Sequence, residues 1–236
     1  MELHKRLPVS ANRLVILCLA AIVFSCNNKP KLISVDAAFS KYIDAYTSGV
    51  VSKKNTVRIQ LASDASATHT VNEAITESLF SFAPAVEGKA YWVDARTIEF
   101  KPDKDLKPGQ LYEADFKLGE VTKVPEQYSH FKFNVEIVKP SFEVTDYGLK
   151  SNNKNTMIYS GEINTADVET SSNVEKLLTA SLNNANLKIV WQHNEAAKDH
   201  QFVINDVKRS SNAQTLLLQW NGEAIASNNF KVCIIE

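Results

Sequence analysis

Apolar and polar residues alternate along most of the chain from Val57 onward, and this alternation limits the folds open to it. Val57, Ile59 and Leu61 would share one face of a strand, with Arg58 and Gln60 on the other. Gly, Pro, Asn and Asp interrupt the pattern at short intervals, as turn residues do between half-buried strands. The long helices that a βαβ fold requires are missing from the pattern. We therefore predict an all-β chain of the sandwich type.

Further strands are predicted from the same alternation at residues 90–93, 97–100, 111–118 and 131–137. The first two would form a hairpin, and Pro108 and Gly109 would turn the chain before the third. Two segments, 35–46 and 72–79, have a weak helical pattern. For the first of them a strand is an equally good interpretation.

The second half of the chain repeats the pattern of the first after about 100 residues. Segments 57–62 and 78–82 have counterparts at 157–163 and 177–182. The strand that ends at Trp92 corresponds to the one that contains Trp191, and each tryptophan is predicted to fill the space between two sheets. With a boundary near Pro140, the prediction is two tandem β-sandwiches, residues 36–140 and 141–236.

The N-terminus has the pattern of an export signal. Lys5, Arg6 and Arg13 precede an apolar run at residues 14–24. As a helix this run would reach roughly 16 Å, about half of a bilayer core, so a permanent membrane span is not expected. We predict that residues 1–25 are a signal peptide.

The end of that segment, Val23-Phe24-Ser25-Cys26, resembles the lipobox of bacterial lipoproteins. The resemblance implies cleavage before Cys26 and attachment of several acyl chains to it, which would hold the protein stably on a membrane. Residues 26–35 would then be a polar tether. Because no aspartate follows Cys26, we expect an outer-membrane lipoprotein that faces the periplasm. An ordinary signal peptide with an incidental cysteine is the alternative.

Charge and cysteine content narrow the possible partners. The formal charge is −1 and no basic stripe is present, so nucleic-acid binding is not expected. Of the three cysteines, Cys18 would leave with the signal peptide and Cys26 would be acylated. Only Cys233 remains, so we predict no internal disulfide.

Sequence motifs for catalysis are missing. The chain has no Gly-rich phosphate loop, no Gly-x-Ser-x-Gly, no His-Glu-x-x-His and no Cys-x-x-Cys. We therefore predict that it is not an enzyme and has no catalytic residue, cofactor or metal site. His193 and His200 flank Glu195 and Asp199, but this polar stretch is predicted to be a solvated hairpin tip rather than a metal site.

The last residues have the pattern of an unfinished strand. Phe230, Val232 and Ile234 alternate with Lys231, Cys233 and Ile235. A free hydrophobic edge of this kind at a terminus is prone to aggregation. We therefore expect the chain to be the N-terminal part of a longer protein. Cys233 itself is predicted to behave as a small hydrophobic residue of this strand.

Several segments resemble the opening of bacterial alpha-2-macroglobulin lipoproteins. They are SKYIDAYTSGV at 40–50, VRIQL at 57–61, GKAYWVD at 88–94, RTIEFKP at 96–102 and LKPGQLY at 106–112. The resemblance is specific over residues 36–140 and weaker beyond them. It implies two macroglobulin-like β-sandwiches from a periplasmic protease trap, in which a cut bait segment triggers a large rearrangement. The family's Cys-x-Glu-Gln thioester is not present, since Glu236 stands where that motif has glutamine.

The resemblance implies a mechanical role for this chain. Anchored at Cys26, the two sandwiches would be the stalk that presents the remainder of the trap to incoming proteases. The alternative is a lipid-anchored Ig-like module that binds a glycan or an adhesion partner. That alternative predicts an exposed aromatic patch, to which Tyr42, Tyr46, Tyr91 and Tyr112 are the candidate contributors, although core and corner positions fit them equally well.

Overall fold

A computed structural model describes residues 32–66 and 69–236 of the chain, and Leu32–Glu236 forms one compact unit. The predicted signal peptide and Cys26, the predicted acylation site, lie outside the described residues. Within the described part, no helix is long and apolar enough to cross a membrane.

The first sandwich is built from eight strands between Ile43 and Ile137. One sheet has the order β1-β3-β6-β5 and the other the order β2-β8-β7-β4. All neighbours are antiparallel except β2 and β8, which are parallel. The strands are β1 Ile43–Tyr46, β2 Val50–Val51, β3 Val57–Leu61, β4 Phe80–Ala83, β5 Gly88–Trp92, β6 Thr97–Pro102, β7 Leu111–Phe116 and β8 Phe131–Ile137.

The second sandwich has a short helix and eight strands. Its sheets have the orders β9-β10-β14-β13 and β12-β11-β15-β16. The helix α1 is Ser171–Val174. The strands are β9 Phe142–Ser151, β10 Thr156–Thr165, β11 Leu178–Leu182, β12 Ala185–Asn186, β13 Val190–Asn194, β14 Asp199–Lys208, β15 Leu216–Asn221 and β16 Phe230–Ile235.

The alternation of apolar and polar residues in the sequence matches the alternation of buried and exposed residues in the strands. In β3, Val57, Ile59 and Leu61 are buried while Arg58 is exposed. One hydrophobic core is formed by residues from Ile43 to Ile137, and a second by residues from Phe142 to Ile225. The prediction of an all-β chain with two tandem sandwiches is confirmed.

One sheet has the same strand order in both sandwiches. β9, β10, β14 and β13 hold the positions in the second sandwich that β1, β3, β6 and β5 hold in the first. The other sheet differs, because β4 is an edge strand whereas its counterpart in the sequence repeat, β11, is an inner strand flanked by β12. The sequence repeat therefore corresponds to a shared strand order in one of the two sheets.

Turn chemistry explains how these strands are connected. Asp94 closes the β5–β6 hairpin, because its carboxylate accepts hydrogen bonds from the backbone N–H groups of Arg96 and Thr97. These bonds, the one from Arg96 above all, hold the pKa of Asp94 below its usual value. Gly109 follows Pro108 with a φ of +70°, which a type II turn requires and glycine adopts without strain.

Two predictions of local structure need correction. Segment 72–79 is not helical, because its backbone pairs with the free edge of β5, where the Ile75 N–H donates to the Ala90 carbonyl at 2.8 Å. Segment 35–46 is divided between a 3₁₀ turn, Ala37–Lys41, and the strand β1. Asp36 caps that turn by accepting from the Ala38 N–H.

The tryptophans also differ from the prediction in one sandwich. Trp92 is buried in the first core, as expected. Trp191 is only partly buried, because β13 is an edge strand. The tryptophan that fills the second core is Trp220 on the inner strand β15, with 1% of its surface exposed.

Replacing the two tryptophans of the second sandwich should therefore have unequal effects. We expect Trp220→Ala to lower the free energy of unfolding by about 3–5 kcal/mol, since it removes a fully buried indole and leaves a cavity. Trp191→Ala should lower the free energy of unfolding by a clearly smaller amount. Urea unfolding followed by far-UV circular dichroism measures both, and equal losses would contradict the assignment of Trp220 to the core.

Candidate functional site

The most distinctive polar cluster of the described chain lies where the two sandwiches meet. Lys53, in the turn between β2 and β3, reaches the segment that follows β10 in the second sandwich. Its Nζ lies 2.6 Å from Glu169 Oε1. Its backbone N–H donates to Asp167 Oδ2 at 2.8 Å. A single residue of the first sandwich therefore contacts two carboxylates of the second.

All three residues of this junction are withdrawn from water. The side chain of Lys53 is 12% exposed and that of Glu169 is 5% exposed. Asp167 is buried as well, and its second carboxylate oxygen accepts from the Val168 N–H. Buried charges are tolerated only when they are paired and hydrogen-bonded, and here each carboxylate has partners. The junction is therefore stable only while the sandwiches remain together.

Backbone hydrogen bonds position the junction from both sides. The Lys53 carbonyl accepts from the N–H of Leu106, a buried residue of the first core. On the other side, the Thr165 hydroxyl donates to the Asp167 carbonyl. Each turn is therefore also hydrogen-bonded within its own sandwich.

The segment that connects the sandwiches is short and is also held in place. β8 ends at Ile137 and β9 begins at Phe142. The Gly109 N–H donates to the Val138 carbonyl, and the Ala166 N–H donates to the Ser141 carbonyl. The Val138 N–H also donates to the carbonyl of Val51, two residues before Lys53. The connection is thus hydrogen-bonded to both sandwiches.

The neighbouring lysine shows what an ordinary surface pair looks like in the same turn. Lys54 Nζ lies 2.9 Å from Asp105 Oδ2, but both side chains are about half exposed. Such a pair contributes about 0–1 kcal/mol, because water and salt screen it. Lys53 and Lys54 therefore have different roles although they are adjacent in the sequence.

The histidine pair does not form the solvated loop that the sequence predicted. His193 on β13 and His200 on β14 are opposite one another, with their Nδ1 atoms 2.9 Å apart. His200 is fully buried, and burial, with His193 beside it, lowers its pKa. The position of His200 on β14 places its side chain on the buried face of the strand. The polar residues around it in the sequence do not indicate this burial.

Two carboxylates near this histidine pair, those of Glu195 and Glu175, have structural partners, whereas Asp199 Oδ1 is buried without a hydrogen-bond partner in the described part of the chain. Glu195 accepts from the hydroxyl and the backbone N–H of Ser171, the first residue of α1, and these bonds lower the pKa of Glu195. Glu175 Oε1 lies 3.3 Å from His193 Nε2. Across the described residues, no group of three or more His, Cys, Asp or Glu side chains is arranged to hold a metal ion.

Three of the four tyrosines proposed for an aromatic surface, Tyr42, Tyr46 and Tyr112, pack in or against the first core. Tyr112 is buried, and its hydroxyl accepts from the Lys107 N–H, which is the tyrosine-corner arrangement of Ig-like sandwiches. Tyr46 packs edge-on against Phe131. Tyr42 and Tyr91 are partly buried. These residues do not form an exposed aromatic patch.

The strand β16 is an edge strand with the predicted alternation. Cys233 and Ile235 pack against the second core, whereas Phe230, Val232 and Ile234 face outward. Phe230 is 68% exposed. In the described part of the chain β16 pairs with β15 alone.

Comparisons with known proteins do not assign the chain to a family. No protein-family model matches it, and no curated protein matches it. The solved structures that share limited similarity with it include two L,D-transpeptidases from Mycobacterium tuberculosis. The complex of L,D-transpeptidase 3 with a faropenem-derived adduct is 15% identical, with a TM-score of 0.29 over 52% of this chain and 46% of that one.

The second structure, another L,D-transpeptidase, is 14% identical, with a TM-score of 0.30 over 65% of this chain and 60% of that one. This chain therefore spans less than two-thirds of the length of either structure. Similarity at this level carries no conclusion about activity.

Removing the junction lysine should have a much larger effect than removing its neighbour. We expect Lys53→Met to lower the free energy of unfolding by up to about 3–5 kcal/mol, because it leaves Glu169 buried without its cation, while the backbone N–H of residue 53 still donates to Asp167. Lys54→Met, the matched control, should change it by no more than about 1 kcal/mol. Urea unfolding measures both variants. Equal effects would mean that the buried pair adds nothing beyond a surface pair.

Proposed function

We propose that this chain is the lipid-anchored stalk of an envelope protease trap of the alpha-2-macroglobulin type. Cys26 attaches it to the outer membrane, on the periplasmic side, and the two sandwiches hold the remainder of the trap away from the lipid. Proteases are the partners of that remainder, and these residues carry out no catalysis. The observation that carries the proposal is the buried contact of Lys53 with Asp167 and Glu169.

A stalk must hold what it carries at a fixed distance and orientation from its anchor. Tandem domains joined by a linker do not have this rigidity unless something restrains them. Here a rotation of one sandwich would break both contacts of Lys53, the hydrogen bond of its backbone N–H to Asp167 and the ion pair of its Nζ with Glu169. The cost of that state favours a single arrangement, as a spacer requires.

The sequence supports the same proposal independently. The segments that resemble the macroglobulin lipoproteins fall on β1 to β3 and on β5 to β7 of the first sandwich. The lipobox-like Cys26 precedes them by a short polar tether. An anchor followed by paired sandwiches is the order that a stalk requires.

The anchor is tested by acylation of the expressed chain. Cells that produce the full chain are grown with an alkyne-tagged fatty acid, and membrane and soluble fractions are compared. We expect labelled chain in the membrane fraction for the parent and for Cys233→Ser, the matched control. Cys26→Ser should be unlabelled and should leave the membrane fraction. Labelling of Cys26→Ser would contradict the anchor.

The trap is tested with the product of the whole reading frame. That protein is incubated with an endopeptidase, and the cleavage of a large protein substrate is compared with that of a small peptide substrate. A trap should block the large substrate and spare the small one, because the enclosed protease still admits peptides. Equal cleavage of both substrates, with and without the protein, would overturn the trap and favour the adhesion or glycan-binding alternative.

A further inference from the structure

Three side chains of the second sandwich form a line of hydrogen bonds that the stalk proposal does not use. His193 on β13 and His200 on β14 lie opposite one another, with their Nδ1 atoms 2.9 Å apart. The other ring nitrogen of His193, Nε2, lies 3.3 Å from Oε1 of Glu175, in the 3₁₀ turn Glu175–Leu177 that follows α1. Together these three residues form the histidine relay.

The geometry of the relay determines where its protons lie. A hydrogen bond between two imidazole nitrogens requires that one carries a proton and the other accepts it. Because His193 Nε2 faces a carboxylate, this nitrogen carries the proton of His193, and its Nδ1 is the acceptor. His200 then donates from Nδ1. The remaining nitrogen, His200 Nε2, is therefore unprotonated; it is buried and has no hydrogen-bond partner within the described chain.

The relay has no favourable place for a further proton. While both hydrogen bonds are kept, a third proton must occupy His200 Nε2, since the other two proton positions are already filled. His200 is fully buried, so this would create an N–H without an acceptor and a positive charge away from water. Both are costly. The alternative is to break the hydrogen bond between the two rings.

The charged groups around His200 do not remove this cost. Those that act on it are His193 on β13, Asp199 on β14, Glu195 in the turn between these strands and Glu169 in the segment after β10. Opposite His200 on β10 is the apolar Ile163. Burial has the largest effect and His193 adds to it, and together they outweigh the carboxylates and lower the pKa of His200.

The relay is connected to the junction of the two sandwiches through one short segment, residues 167–175. Two carboxylates near its start contact Lys53. Further along, the hydroxyl and the backbone N–H of Ser171 donate to Glu195 of the β13–β14 turn, and at the end Glu175 joins the relay. The segment that carries the junction carboxylates is therefore held on the β13–β14 hairpin at two points, one of which is the relay.

We propose that the histidine relay is a pH-sensitive switch, which holds segment 167–175 and the junction in place at neutral pH and loosens them in acid. At neutral pH both rings are uncharged and bonded to each other. A third proton breaks that bond and frees Glu175 from the hairpin. The inference goes beyond the stalk, because it concerns contacts among residues 53–200 and depends on neither the anchor nor the trap.

The direction of the pH dependence follows from counting protons. The ordinary pKa of histidine is 6.5, and that of His200 in the folded protein is lower. As the pH falls through 6.5, the unfolded chain takes up a proton that the folded protein does not, so its share rises by up to about tenfold per pH unit. The stabilisation is therefore present above that pH and is lost on acidification.

The test compares three forms of the full chain, each with Cys26→Ser so that this residue carries no acyl group. The parent has no other change, the double variant combines His193→Leu with His200→Leu, and the matched control is His130→Leu, an exposed histidine of the first sandwich. Urea unfolding is measured at about pH 7.5 and about pH 5.5. We expect the unfolding equilibrium constant to rise on acidification at least about fivefold more in the parent and the control than in the double variant.

Two further measurements report on the relay and the junction separately. Nitrogen NMR chemical shifts of the imidazole rings at neutral pH should show His193 protonated at Nε2 and His200 at Nδ1. The backbone N–H of Lys53, which donates to Asp167, reports on the junction. Its hydrogen-exchange protection factor should fall at least about fivefold over the same pH range in the parent, and should not depend on pH in the double variant.

Three results would overturn the proposal. An equal rise of the unfolding equilibrium constant in the parent and in the double variant would place the pH dependence elsewhere. A Lys53 protection factor that stays constant in the parent would separate the relay from the junction. His200 protonated at Nε2 at neutral pH would contradict the arrangement of protons. The last two measurements use the parent alone, so they decide the proposal even if the double variant does not fold.

Discussion

The contact of Lys53 with Asp167 and Glu169 determines whether this chain behaves as one body or as two. Removing charges from water costs several kcal/mol per ion, and only the full set of partners offsets that cost. Here the partners come from different sandwiches, 114 and 116 residues apart in the sequence. The folding of each sandwich creates half of the site, and only their association completes it. The short, hydrogen-bonded connection keeps the two halves close enough to do so.

The sequence predicts the layers of this protein well because its strands are half-buried. Val57, Ile59 and Leu61 alternate with polar residues, and a strand has a period of two, so pattern and burial coincide. The repeat extends this to the second sandwich, where β9, β10, β14 and β13 take the positions of β1, β3, β6 and β5. Pro108 and Gly109 likewise fix their turn through local geometry alone.

What the sequence does not predict depends on register or on distant contacts. Lys53 and Lys54 are adjacent lysines that the sequence does not distinguish, but only Lys53 contacts residues of the second sandwich. His200 lies among polar residues, yet its place on β14 turns it into the core. Trp220 rather than Trp191 fills the second core because β15 is an inner strand.

The central claim is that the buried junction holds the two sandwiches in one fixed arrangement. Residual dipolar couplings of backbone amides, measured in a weakly aligned sample, test it most directly. If the claim is right, one alignment tensor fits the amides of both sandwiches, from β1 to β8 and from β9 to β16, with equal magnitude. If each sandwich requires a tensor of different magnitude, they move independently, and the account of a rigid stalk is wrong.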